Sequence, residues 1–271
     1  MSTSNIAILL SVYKRDSRAY VSVAIESILH QSFGDFEVFV QLDGPVEDDL
    51  RSYLFSIKDP RVHCNQRAEN KGLAHSLNDL LSIVLPQGYQ FIARMDADDI
   101  SAPNRLERQL QYLELHQDVD CVGTWAIEIL SDGTEFFRKQ MPEHHDECLE
   151  LFRKRDCIIH PTAMFRRSFF EKAGFYDTDT FFAEDTMMWA KGFAAGCHFA
   201  NVPEYLYKFR IDPTFFERRR GWKYAKGILA VRKRVNKILG FGLMESLYAY
   251  AYAFVKMMPK PILKLIYKIA R

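Results

Sequence analysis

Nearly continuous apolar runs at "IAILLSV" (residues 6–12), "FEVFVQL" (36–42) and "QFIARM" (90–95) alternate with segments of helical period, and this alternation limits the possible folds sharply. Between the first two runs, Val21, Ala24, Ile25, Ile28 and Leu29 recur at i, i+3, i+4, i+7 and i+8. Ahead of the third, Leu73, Leu77, Leu80, Leu81 and Val84 keep the same period. A strand that reads apolar at consecutive positions has both faces covered, and a crossover helix between two such strands sets them parallel. A fourth run, "DCVGTWAIEI" (120–129), extends the series. The expectation is an α/β fold with a mainly parallel central sheet and helices on both faces. Ligands of such sheets bind beyond the carboxyl ends of the strands.

Those ends carry three polar clusters: "SVYKRD" (11–16), "QLDGP" (41–45) and "ARMDADD" (93–99). The third is the most demanding, because Asp96, Asp98 and Asp99 crowd like charges at the edge of a core unless a cation or hydrogen-bond donors meet them. A calcium loop of the EF-hand type is excluded, since Ile100 and Ser101 stand where a ligand and the turn glycine are needed. Asp99 or Ser101 is expected to cap a helix that begins near Pro103. Asp96 and Asp98 precede that helix by too much to serve it. Alternate acids at a parallel-strand end suit a hard divalent cation that keeps open positions for phosphate oxygens. Arg94 lies two residues before Asp96, on the same side of the strand, where it would orient the carboxylate, neutralise phosphate or form a structural ion pair. Beyond residue 130, "HPTAMFRRSFF" (160–170), "FFAEDTMMWAKGF" (181–193) and "HFANVPEYLYKFR" (198–210) read as strand, helix and strand that complete the cleft.

At 271 residues the chain is long for one domain and short for two, so one main domain with an appendage is expected. The five cysteines are odd in number, scattered and never spaced CxxC, which argues against a disulfide framework or a zinc site and for a cytosolic chain. "IAILLSVY" lacks a basic leader and is too short for a signal-peptide core. The net charge of +1 hides an asymmetry: residues 218–271 hold 14 Lys or Arg against the single acid Glu245, leaving 22 basic and 34 acidic residues in 1–217.

"SVYKRD", "QLDG", "ENKGLAHSLN", "ARMDADDISAPNRLERQ", "VGTWA", "HPTAMFR" and "AEDTMMW" follow one another in the order of the family 2 glycosyltransferases, which the chain resembles over about residues 5–212. It is most similar to bacterial members that build O-antigen or exopolysaccharide repeat units on a lipid carrier. The resemblance implies a GT-A fold over residues 1–215, with a nucleotide-sugar half to about 130 and an acceptor half from 131 to 215, followed by a basic amphipathic helical tail, 216–271. It implies that Asp98, with Asp96 nearer the ribose, holds Mn²⁺ or Mg²⁺ on the diphosphate of the donor. It places Asp43 at the base, Tyr13 and Arg15 in the lining of the nucleotide pocket, and Asn70, Gly72 and Asn78 in the loop and helix beneath it. For Asn78 a helix cap is an equal alternative. Asp185 corresponds to the base that takes the acceptor proton in an inverting transfer, with Glu184 beside it; a cap for its own helix is the bland alternative. His160 and Arg210 are candidates for contact with acceptor or phosphate, although "FRID" puts Asp212 where many relatives have a histidine.

In the tail, Lys260, Lys264 and Lys268 alternate with Ile262, Leu263, Leu265, Ile266 and Ile269, the pattern of a cationic helix lying in an anionic membrane interface. "LMESLYAYAYAFV" is shorter than a membrane span and contains Glu245. A peripheral protein on the inner face of the cell membrane, without a transmembrane segment, is expected. Nucleic acid is disfavoured because no recognisable module accompanies the basic patch. Arg218, Arg219 and Arg220 are candidates for the phosphates of a lipid diphosphate. The expected reaction is transfer of galactose or glucose from a UDP-sugar to GlcNAc or GalNAc on undecaprenyl diphosphate. Two rivals remain: a nucleotidyltransferase, disfavoured because "SVYKRDSRAY" has no glycine to cradle a phosphate, and a membrane-associated scaffold without catalysis.

Overall fold

The computed structural model describes residues 5–180, 183–211, 214–259, 261–263 and 266. Strands β1 (Ile6–Val12), β2 (Phe36–Leu42), β3 (Val62–Gln66) and β4 (Phe91–Asp96) lie parallel in the order β3-β2-β1-β4. They are linked by α1 (Arg18–Leu29), α2 (Asp48–Ser56) and α3 (Leu73–Val84). β5 (Ile100–Ser101) and α4 (Arg105–Leu115) lead to β6 (Val119–Ile129) and β7 (Glu135–Lys139). α5 (His145–Phe152), β8 (Met164–Arg166), α6 (Arg167–Ala173), α7 (Glu184–Ala194) and β9 (His198–Arg210) follow. α8 (Phe215–Arg218), α9 (Trp222–Leu239) and α10 (Leu243–Lys256) come next, and residues 261–263 are again helical.

The parallel expectation holds for the first half and for the β6–β9 pair. β8, β7 and β5 pair antiparallel with their neighbours, β8 being wedged between β4 and β6. The "HPT" segment is a single 3₁₀ turn, His160–Thr162, rather than strand, and strand begins only at Met164. Pro161 explains the difference, since a missing amide suits the start of a turn and not a ladder.

Side-chain alternation divides the core between the two sheet faces. Ile6, Ile8, Leu10 and Val12 pack with α1, α2 and α4, whereas Ala7 and Leu9 pack with α3, α6, α7 and α9. Strand order reverses at β1, so the carboxyl ends of β1 and β4 open a crevice at that point. β1 pairs with β4 up to Ser11 and Asp96, which brings "VYKRD" beside the acidic cluster.

The turn after β2 is tightly constrained. Gly44 has φ +81°, and a Cβ there would come within 2.5 Å of the Asn70 amide nitrogen. Gly44→Ala is expected to lower stability by about 1–3 kcal/mol, from strain and the displaced loop; a denaturant melt measures it. Asp212, Lys260, Lys264, Leu265, Lys268 and Ile269 lie outside the described residues, and with them most of the cationic helix expected after Pro261. Among the described residues, no helix is long and apolar enough to cross a membrane.

Candidate active site

β4 ends in the cluster that the sequence singled out. Asp96, Asp98 and Asp99 each offer a carboxylate oxygen within 4.8 Å of the others. Asp99 was expected to begin a helix, but α4 starts only at Arg105 behind Asn104, with no side-chain cap. Ser101 belongs instead to β5, paired with Tyr207 of β9. Asp99 is buried; its Oδ1 accepts from the Arg210 amide (2.7 Å), while Oδ2 has no partner. Burial, together with Asp98 and Asp96, pushes the Asp99 carboxyl well above its ordinary pKa. An orphaned oxygen among three clustered carboxylates is what a hard divalent cation would satisfy, so the donor set fits Mn²⁺ or Mg²⁺.

The floor under this cluster is cationic. Arg94, fully buried, contacts Asp96 Oδ1 at 2.7 Å and donates to the Met95 carbonyl. Arg105 lies behind it, donating to the carbonyls of Pro161 and Arg94 (both 3.3 Å), and desolvation lowers its pKa to about 10. From β9, the Tyr207 hydroxyl accepts from the Asp96 amide (3.2 Å). Arg210 grips the acid loop rather than pointing outward: its Nε donates to the Asp98 carbonyl (2.8 Å), and its guanidinium stacks on Tyr20. Arg210→Lys keeps the charge but loses this fork. It is expected to weaken Mn²⁺ binding by about 10–100-fold, read by electron paramagnetic resonance titration.

On the other side of β1, Asp43 is nearly buried and staples two loops. Its carboxylate accepts from the amides of Lys71 (2.8 Å) and Gly72 (2.9 Å), and Asn70 donates to its carbonyl (3.0 Å). Arg67 approaches Asp43 at 3.4 Å and donates to Ser76 at 2.6 Å. Each Asp43 oxygen keeps a lone pair for a further donor. Gly72, at φ +93°, is the residue before α3. Asn78 lies inside α3 and caps nothing; its amide exchanges two hydrogen bonds with the Tyr176 backbone, both 2.9 Å. Tyr13 and Arg15 follow β1, and the Tyr13 amide donates to Asp16 Oδ2 (2.8 Å). The Asp16 pKa is raised to about 8 by burial, with Asp98 and Asp96 adding to the shift.

The second centre is the start of α7. Glu184 and Asp185 are half-buried in its first turn, and Asp185 Oδ1 accepts from the Thr186 amide (2.7 Å). Burial, Asp156 and Glu184 raise the Asp185 pKa to about 8. Asp96 and Arg94 both act on Glu184, so the two carboxylate groups lie within electrostatic reach of each other. Asp156 is held by the Thr186 hydroxyl (2.8 Å) and by Arg232 of α9 (3.4 Å). His160 is buried, its Nε2 within 3.0 Å of the Tyr176 hydroxyl, and burial beside Arg94 keeps it neutral. Arg218 acts electrostatically on Tyr13 and Asp16, and Arg219 on Glu184 and Asp185. Arg220 is exposed beyond them.

Asp16, Asp156, Tyr176 and Tyr207 were not foreseen. Asp16 stood inside a quoted strand-end cluster and was within reach of the same argument. Asp156 sits in an aperiodic loop, and Tyr176 and Tyr207 read as ordinary core aromatics, so the sequence offered no signal for them.

The chain is 28% identical over 266 residues to the amylovoran biosynthesis glycosyltransferase AmsE of Erwinia amylovora, covering 97% of each. It is 28% identical over 230 residues to the UDP-Gal:alpha-D-GlcNAc-diphosphoundecaprenol beta-1,3-galactosyltransferase of Escherichia coli, covering 82% of this chain and 80% of that protein. Among solved structures it resembles the mannosyltransferase PcManGT from Pyrobaculum calidifontis in complex with GDP-Man and Mn²⁺. There the TM-score is 0.62 and the identity 15%, over 98% of this chain and 79% of that one, a likeness of fold. The fold is GT-A. The pattern described as Glycosyl transferase family 2 matches residues 7–174, from β1 through the acidic cluster to the end of α6, and the chain therefore belongs to that family.

Proposed function

We propose that the protein transfers galactose or glucose from a UDP-sugar, with inversion, to GlcNAc or GalNAc on an undecaprenyl-type diphosphate, in O-antigen or exopolysaccharide assembly. The observation that carries this reading is a cluster of three carboxylates suited to a cation, within electrostatic reach of a second acidic pair, Glu184 and Asp185, whose Asp185 pKa is raised to about 8. The Escherichia coli relative supports the donor and acceptor classes by its name.

In this reading Asp98 and Asp96, with Asp99 completing the set, hold Mn²⁺ or Mg²⁺. When bound, the cation neutralises the donor diphosphate and acts as a Lewis acid on the departing oxygen. Arg94 orients Asp96, while Arg210 and Tyr207 fix the loop so that its oxygens need not reorganise. Tyr13, Arg15 and the Asp43–Asn70–Gly72 staple line the nucleotide end. Asp185 accepts the proton of the acceptor hydroxyl as its oxygen attacks the anomeric carbon from the side opposite the diphosphate. A base of pKa near 8 holds that proton better than an ordinary carboxylate. Arg218 and Arg219 supply positive charge for the acceptor diphosphate.

The test is incubation of the purified protein with a panel of nucleotide sugars and a lipid-diphosphate GlcNAc or GalNAc analogue, followed by proton NMR of the product. Transfer selective for UDP-galactose or UDP-glucose, giving a β-linkage from the α-configured donor, is expected. A retained configuration would remove Asp185 from the role of base.

A further inference from the structure

α9 and α10 form an antiparallel hairpin, closed where the Gly221 amide donates to the Lys256 carbonyl (2.9 Å). Ala249 and Ala253 of α10 are buried. About 100° round the helix from that pair stand Leu243, Leu247, Tyr250, Phe254 and Met257, spaced 4, 3, 4 and 3 residues apart. At helical pitch these five fall within about 40° of one line and run for about 21 Å. They are 43 to 75% exposed. An aligned stripe of large apolar side chains in water marks an interaction surface.

The surroundings say what covers it. Lys233 of α9 lies over the Tyr250 ring (4.7 Å), so a cation borders the stripe. The single acid from residue 218 onward, Glu245, is held by Arg153 (2.8 Å) and by the Gly242 amide (3.0 Å), which leaves the region strongly basic. Trp222, 72% exposed, adjoins the end of α10 through the Gly221–Lys256 bond. Apolar stripe, cationic border and interfacial aromatics together match a helix lying in an anionic membrane surface. A second copy of the chain is a poorer partner, because two such hairpins face to face would oppose the seven Lys or Arg of residues 222–256, against the single acid Glu245, with another seven.

We propose that the outer face of α10, with Trp222 at its end, docks the protein on an anionic lipid bilayer. The stripe sinks to the headgroup boundary and Lys233 beside it meets lipid phosphate. The start of α9 then faces the surface, where Arg219 acts on Asp185; the benefit of that orientation rests on the lipid-linked acceptor proposed above, but the docking itself does not.

Flotation of the full chain with vesicles of phosphatidylcholine, alone or with about one third phosphatidylglycerol, tests this. Binding to the mixed vesicles is expected to exceed binding to the neutral ones by at least about tenfold, with a blue shift of tryptophan emission that Trp222→Phe abolishes. The pair Leu247→Glu and Phe254→Glu, both solvent-facing, should cut flotation at least about tenfold while Tm and UDP binding stay as in the parent protein. Flotation indifferent to lipid charge or to the pair would overturn the proposal. So would a concentration-dependent dimer in lipid-free buffer that the pair abolishes, in favour of a second copy. Flotation without UDP binding would sink the transferase reading and leave the docking intact; UDP binding without flotation would do the reverse.

Discussion

Replacing Asp98 with Asn should lower kcat/KM by about 10²–10³-fold or more, because the departing diphosphate loses its electrostatic stabilisation. Mn²⁺ affinity should fall with it. Stability should not, since Asp96, Asp98 and Asp99 crowd within 4.8 Å of one another and losing one charge relieves repulsion. Paired kinetic and melting measurements separate this from misfolding. Unchanged Mn²⁺ binding in Asp98→Asn would show that the cluster is structural.

Asp185→Asn should leave the donor KM near that of the parent and lower kcat by about 10²–10⁴-fold, the usual contribution of a general base. Its pH dependence has a defined sign. With the folded pKa raised from 3.8 to about 8, the carboxyl is mostly protonated at neutral pH, so kcat should climb as pH rises through about 8 and then level. Stability moves the other way. Between 3.8 and about 8 the native state binds the proton that the unfolded state has lost, so stability falls as pH rises across that window. Asp185→Asn removes this penalty and should raise Tm most clearly above pH 8. A lower Tm in the variant at that pH would mean that the ionised carboxylate is needed by the fold.

The first half of the fold was legible because two independent periodicities agreed. Consecutive apolar positions in β1, β2 and β4 gave the buried parallel strands, and the helical period gave α1 and α3 between them. The second half was less so. β8 is three residues long and owes its place to the space between β4 and β6, a tertiary fact with little local pattern. β3 is only partly buried and carries no apolar run, so it escaped notice, as did α2. Within the site, the carboxylates were visible because unpaired charges at a strand end demand a reason. Their supports were not. Arg210 and Tyr207 reach the acid loop from 111 residues away through β9 register, which the sequence cannot specify without the sheet order. Asp43, Asn78 and His160 show the converse: their hydrogen-bonding groups are engaged by neighbouring protein groups, so any part they play in binding is exerted from a fixed position.

The role of the acidic cluster can be tested in one assay. Radiolabelled sugar transfer from UDP-galactose or UDP-glucose to a lipid-diphosphate GlcNAc or GalNAc analogue would be followed with Mn²⁺ present, after full chelation, and after Mn²⁺ is restored. The cluster formed by Asp96, Asp98 and Asp99 predicts transfer that chelation abolishes and Mn²⁺ restores; transfer undiminished under full chelation would contradict it.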